Sequence, residues 1–265
     1  MGKTFGLWNW KGGVTKTTST LNVASHLVED HGLRVGTVDF DPQATLTKLA
    51  GLAPAELAAE ETVLGALLPE EYGELDVREI IRDAPWGGWV LPATPDLAGA
   101  EPVLNSVPGP HSRLERALRA VRDDVDVILI DGPPRTGKLA FNLLGASDGI
   151  FVPVALSYAS ATSLKPLFQT VRLFSEYEHP VPVLGVFGTL SRNTRHCREV
   201  LEGLNEQLGD LMLDATVPNT VSVEDALPEG LAAWQLDRKS LGAKAYTRLT
   251  GDLLARTATT VTAAA

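Results

Sequence analysis

The chain has 265 residues, 44% hydrophobic and 21% charged, a composition that suits one large α/β domain or two small ones with a well-buried core. No apolar run nears the roughly 18 residues that span a bilayer and no signal-peptide pattern opens the sequence, so a cytoplasmic protein is expected. The net charge of −10 argues against nucleic acid only in sum, because residues 51–130 hold 6 Lys/Arg against 15 Asp/Glu and the remainder is close to neutral.

Thr4 to Trp10 reads as a buried strand, followed by a Gly-containing loop and a helix from about Lys16 to Glu29 that Gly32 closes. Arg34 to Phe40 is a second β-branched run and ends in Asp39-Phe40-Asp41-Pro42. Residues 51–110, rich in Ala, Glu, Pro and Gly, read as an elaborated acidic connection within the domain, with one strand-like run at Trp89 to Ala93. His111 to Arg122 has helical spacing, and Val125 to Ile130 is a continuous apolar run ending at Asp131. Further strands are expected at Gly149 to Val154, Val181 to Leu190 and Leu213 to Pro218, with helices at about 158–178, 194–208 and 242–256. Residues 257–265 read as a disordered tail beyond a domain of 1–256. Apolar strands alternating with helices predict an α/β fold: a mostly parallel twisted sheet flanked by helices on both faces. Cys197, the only cysteine, excludes an internal disulfide and reads as a small buried side chain.

Asn9-Trp10-Lys11-Gly12-Gly13-Val14-Thr15-Lys16-Thr17-Thr18 lies where the first strand gives way to the first helix. Glycines there let main-chain N–H groups curl around an anion, and the helix N-terminus adds its positive end, so the segment is built for phosphate. Residues of this type place Lys16 on the β- and γ-phosphates and the Thr17 hydroxyl on Mg²⁺. The strict G-x-x-x-x-G-K-[ST] pattern fails, since Trp10 and Thr15 occupy its two glycine positions. Trp8 and Trp10 read as packing residues rather than adenine stackers.

Two acidic clusters, Asp39-Phe40-Asp41 and Asp131-Gly132-Pro133-Pro134, follow apolar strands. In a parallel sheet both emerge at the carboxyl edge beside the phosphate loop. A carboxylate there is costly to desolvate without a cation, and hydrated Mg²⁺ is a natural partner. Asp131 is therefore expected to hold the metal through water in the Walker B role, Asp41 to meet it through water and orient the attacking water, and Asp39 to support both from behind.

Lys11-Gly12-Gly13-Val14-Thr15-Lys16-Thr17 resembles the deviant phosphate loop of the ParA/MinD superfamily of P-loop NTPases, whose defining residue is an early extra lysine, here Lys11. Val38 to Gln43, Leu129 to Pro134, Val152-Pro153-Val154 and Ser240 to Tyr246 resemble segments of its ParA/Soj-type partition ATPases. The resemblance implies one ATPase domain with Lys11, Lys16 and Asp41 catalytic, residues 11–18 cradling ATP, and Pro218 and Asn219 near the adenine, although Asn219 is also an ordinary turn former. Thr15 stands where most members carry glycine, which is expected to tighten the loop or slow turnover without abolishing binding. ATP would close two copies into a homodimer, each Lys11 reaching the other's nucleotide. Non-specific DNA binding, nucleoid association, chromosome or plasmid segregation and a ParB-like activator are further implications. Arg238, Lys239, Lys244 and Arg248 are the DNA candidates, with Arg192, Arg195 and Arg198 on or near another helix; solvated helix faces account for them equally, because Asn219, Ser222 and Leu241 depart from the basic pattern of relatives. The alternatives are a positioner of non-DNA cargo and a MinD-like membrane switch, the latter disfavoured because Thr257 to Ala265 lacks basic and bulky apolar residues.

Overall fold

The computed structural model describes residues 2–73, 76–157 and 164–262. Eight strands, β1 (Lys3–Leu7), β2 (Val35–Asp39), β3 (Arg82–Asp83), β4 (Trp89–Leu91), β5 (Val127–Asp131), β6 (Gly149–Ala155), β7 (Val183–Ser191) and β8 (Met212–Pro218), form one sheet. Their order is β3-β4-β2-β5-β1-β6-β7-β8, parallel throughout except for β3 with β4. The α/β reading therefore holds, and each expected strand is present within a few residues of its expected ends. Arg82–Asp83 went unforeseen because two polar residues carry no alternation.

Strand residues are sorted by the period-2 alternation of the pleat. Phe5, Leu7, Val127 and Leu129 share one core with residues of α1 (Lys16–Glu29) and of the C-terminal helix (Leu241–Thr262). Ile128, Ile130, Ile150 and Val152 share the other with residues of the helices Lys138–Ala146 and Leu164–Tyr177. The acidic connection joins this second core through Leu64, Leu67, Leu91 and Leu97, and it extends the sheet edge through β4.

Short helices at Thr45–Leu49, Val221–Ala226 and Ala233–Leu236 were not foreseen, and three longer ones differ from expectation. The sequence KLAFNLLGA is apolar apart from Lys138 and Asn142, and the helix Lys138–Ala146 was not among the expected elements. The helix expected at 158–178 is observed as Leu164–Tyr177, with 158–163 outside the described residues. The C-terminal helix runs to Thr262, so residues 257–262 continue it where a disordered tail was expected. A helix already anchored through Tyr246, Leu249 and Leu253 propagates at one hydrogen bond per added residue.

From β1 the chain moves outward to β2, returns to β5 and then passes β1 to reach β6. Strand order thus reverses around β1, leaving a crevice at its carboxyl end.

Candidate nucleotide site

The loop after β1 fills that crevice and is fixed by its neighbours. Buried Asn9 donates from Nδ2 to Pro153 O (2.9 Å) while its Oδ1 accepts from Lys11 N (3.0 Å). Thr189 Oγ1, from β7, donates to Val14 O (3.2 Å). Gly13 (φ 72°) and Thr15 (φ 66°) both adopt left-handed backbone, free for glycine but strained for a β-branched residue. Trp8 is fully buried and packs as expected, and Trp10 is 37% exposed.

α1 begins at Lys16 with neither a side-chain cap nor an acidic residue in its first turn. Helices ordinarily satisfy these first N–H groups from within the chain, so an uncapped positive end facing a crevice is suited to an external anion. Lys16 is buried, and its Nζ donates to Lys11 O (3.3 Å). Burial lowers the Lys16 pKa, opposed by the charges of Asp131 and Asp41.

Three carboxylates face this loop. Thr17 Oγ1 donates to Asp131 Oδ2 (2.6 Å), whereas the buried Asp131 Oδ1 has no hydrogen-bond partner. Burial and the neighbouring Asp39 push the Asp131 carboxyl well above the usual carboxylate range. Asp39, its register partner on β2, accepts from Thr47 N and Thr47 Oγ1 (both 2.7 Å) and from Asp41 N (3.3 Å), and burial pushes it up to about 6. Asp41 is buried at the crevice edge, with Oδ1 accepting from Gln43 N (3.0 Å). An unsatisfied buried oxygen beside a threonine hydroxyl and a second carboxylate is a hard-oxygen donor set that fits hydrated magnesium.

Residues 2–181 match the AAA domain family. The chromosome-partitioning ATPase Soj of Treponema pallidum is 32% identical over 97% of this chain and 98% of its own. The chain belongs to the Soj/ParA family of P-loop ATPases. The sporulation initiation inhibitor protein Soj of Bacillus subtilis is 34% identical over 96% of this chain and 99% of its own. Among solved structures, a cobyrinic acid a,c-diamide synthase from Mycobacterium smegmatis with bound ADP and magnesium superposes with a TM-score of 0.82, at 31% identity over 96% of this chain and 94% of that one. This Soj/ParA-family protein is accordingly an ATP hydrolase that uses ATP with magnesium.

The fold brings Lys11 to Thr18, Asp39, Asp41 and Asp131 of this ATPase together. Pro218 and Asn219 lie at the end of β8, one sheet position beyond β7. Asn219 N donates to Ser191 O (3.0 Å), and its side-chain amide, oriented to satisfy its neighbours, donates to Glu224 Oε1 (3.0 Å) and accepts from Arg192 Nη2 (3.1 Å). The basic candidates differ among themselves. Arg238 stacks on Trp234 (4.5 Å to the ring centroid) and pairs with Glu29, Arg195 pairs with Glu199, and Arg198 donates to Asn193. Lys239 is exposed, and exposed Lys244 and Arg248 line a groove of about 420 Å³ together with Asp214 and Asp252.

Sequence reasoning missed the residues that hold the site from behind. Asn9 and Thr189 fix the loop, Thr47 fixes Asp39, and Glu101 accepts from Lys138 N (2.8 Å) and Leu139 N (3.2 Å), which anchors the helix after the Asp131 loop. Each partner lies tens of residues away or on another strand, except Thr47, eight residues after Asp39. Among the described residues no helix is long and apolar enough to cross a membrane.

Proposed function

We propose that the chain is a nucleotide-switched partition ATPase in which residues 11–18 cradle the triphosphate and two copies close around two nucleotides. The uncapped, acid-free N-terminus of α1 beside Thr17–Asp131 supports this reading most directly, because it joins an anion site to a metal site. The main-chain amides of Gly12 to Thr18 bind phosphate oxygens, and Lys16 neutralises charge on the β- and γ-phosphates. Thr17 directly, and Asp131 and Asp41 through water, would hold magnesium, which would supply further positive charge to the triphosphate. Asp41 aligns the attacking water, Asp39 fixes Asp41 through its main-chain N–H, and Lys11 reaches the partner copy's nucleotide. Pro218 and Asn219 border the adenine, which requires Asn219 to exchange its Arg192 and Glu224 contacts for the base.

In the ATP state the dimer binds DNA without sequence preference, moves chromosome or plasmid cargo over the nucleoid, and is reset by a ParB-like activator in the cytoplasm. Lys239, Lys244 and Arg248 carry the phosphate contacts, and Arg238 contributes only if it leaves Trp234 and Glu29. The commitment of Arg238, Arg195 and Arg198 to partners within the chain favours a second reading, the positioning of non-DNA cargo, in which the same switch works with a weaker DNA footprint.

Titration of the Lys16→Ala variant with ATP and magnesium tests the cradle, with loss of binding expected and unchanged affinity refuting it. A gel-shift series with ATP at rising salt tests the cargo: salt-sensitive, ATP-dependent retardation supports DNA, and none at low salt leaves the second reading.

A further inference from the structure

We propose that Tyr246, on the C-terminal helix, is a positioning residue for the phosphate loop: its buried hydroxyl, together with Ser19, holds Thr15 in the left-handed backbone that shapes the cradle. The proposal rests on reading residues 11–18 as the triphosphate site. Thr15 immediately precedes α1 at φ 66° and ψ 29°, yet its hydroxyl does not cap the helix. It turns instead toward Ser19 Oγ (3.4 Å), which shares a hydrogen bond with Tyr246 Oη (3.3 Å), and Thr15 is itself a second hydroxyl partner of Tyr246. Ser19 and Tyr246 are both fully buried.

Two physical points give this cluster a function rather than a packing role alone. A β-branched residue in left-handed backbone persists only when its surroundings over-determine it. The side chain that would ordinarily cap α1 is diverted into the core, and the first-turn N–H groups stay available to an anion. Phenylalanine would fill the same apolar space among Leu21, Val217 and Leu249, so the phenol's oxygen adds the link to Thr15 and not bulk. Burial pushes the Tyr246 phenol up, so it keeps its proton at any working pH.

The test is Tyr246→Phe in two backgrounds, with equilibrium binding of ADP and magnesium, steady-state ATP turnover, and thermal melting of the nucleotide-free protein. In the Thr15 background the ADP Kd and the ATP KM should each rise about five-fold, the worth of one typical hydrogen bond, with kcat within about two-fold. In the Thr15→Gly background the same change should shift both by less than about two-fold, since glycine holds φ > 0 unaided. Ser19→Ala, which removes the second hydroxyl held against Thr15 and leaves Tyr246 in place, should show the same dependence on background at a smaller size. A lower melting temperature with unchanged Kd, or an equal loss in both backgrounds, overturns the proposal by reducing Tyr246 to packing. Lys16→Ala separates the two levels. If it abolishes ADP binding while Tyr246→Phe is silent, only the positioning role fails; if it binds normally, the cradle fails and the proposal with it.

Discussion

Gly132→Ala should damage the site and the fold together, and its size follows from the packing. A Cβ at residue 132 would lie 2.6 Å from Leu143 Cδ1, 2.9 Å from Trp8 Cδ1 and 3.0 Å from Leu7 O. Leu143 can yield by rotating, but Trp8 is fully buried and Leu7 O is the acceptor of Gly132 N (3.1 Å), so two of the three neighbours are fixed. Overpacking of this kind costs about 1–3 kcal/mol, and with two rigid neighbours about 2 kcal/mol is a fair value. For a domain of this size that lowers the melting temperature by about 4–8 °C. Because residue 132 adjoins Asp131, the strain also moves the carboxylate that receives the Thr17 hydroxyl, and the KM for ATP should rise. Differential scanning calorimetry and steady-state kinetics measure both effects. Leu143→Ala in the same chain should recover part of the loss as a coupling energy, since it removes the shortest contact. Melting within about 1 °C of the parent and an unchanged KM would show that the helix Lys138–Ala146 does not press on the Asp131 loop as described.

Asp41→Ala should retain ATP binding and lose turnover, leaving the ATP-bound dimer trapped; size-exclusion chromatography with ATP and a phosphate-release assay check this, and turnover at the parent rate removes Asp41 from the mechanism. Lys244→Ala should lower the slope of log affinity against log salt for DNA by about one, while Arg238→Ala, already committed to Trp234 and Glu29, should leave that slope unchanged. The reverse ranking would relocate the footprint. Burial depresses the His26 pKa below 6.5, against the opposing pull of Asp30, and its Nε2 has no hydrogen-bond partner. The unfolded chain therefore binds the extra proton first, so this contribution is present above about pH 6.5 and is lost as pH falls, by at most about 1.4 kcal/mol per pH unit. Denaturant midpoints measured from pH 7 down to 5 should fall more steeply than those of His26→Gln, and parallel curves would exonerate the imidazole.

The strands and α1 were legible because each couples a β-branched or amphipathic run to a local stop such as Gly32 or Asp131. The helix Lys138–Ala146 was not, because its nine residues hold only two polar side chains, one of them the buried Asn142, so no polar face sets off the apolar one. The phosphate loop was legible through residue types whose chemistry is local: two lysines, two glycines and a threonine at a strand-to-helix turn. The residues behind it were not, since Asn9, Thr189, Tyr246 and Glu101 act through contacts between elements that a linear pattern does not join. The basic candidates show the same limit from the other side. Arg238 and Lys244 look alike as charges in the sequence, yet only the fold gives one of them an aromatic face and a carboxylate.

Asp39 and Asp131 carry this distinction to the centre of the chemistry. Each ends an apolar strand, each is fully buried, and they sit opposite one another in the β2–β5 register. Two like charges so placed disfavour each other's ionisation unless something else compensates them. Asp39 is compensated by the protein: Thr47 supplies two short hydrogen bonds and Asp41 a third, so its oxygens are spoken for and it shapes the turn that presents Asp41. Asp131 has one protein donor, Thr17, and an oxygen left over at the foot of the phosphate loop. On the proposed reading, a cation would complete that second carboxylate where the chain completes the first. The division of labour between two aspartates that both end apolar strands follows from Thr47, a side chain whose importance only the folded arrangement reveals.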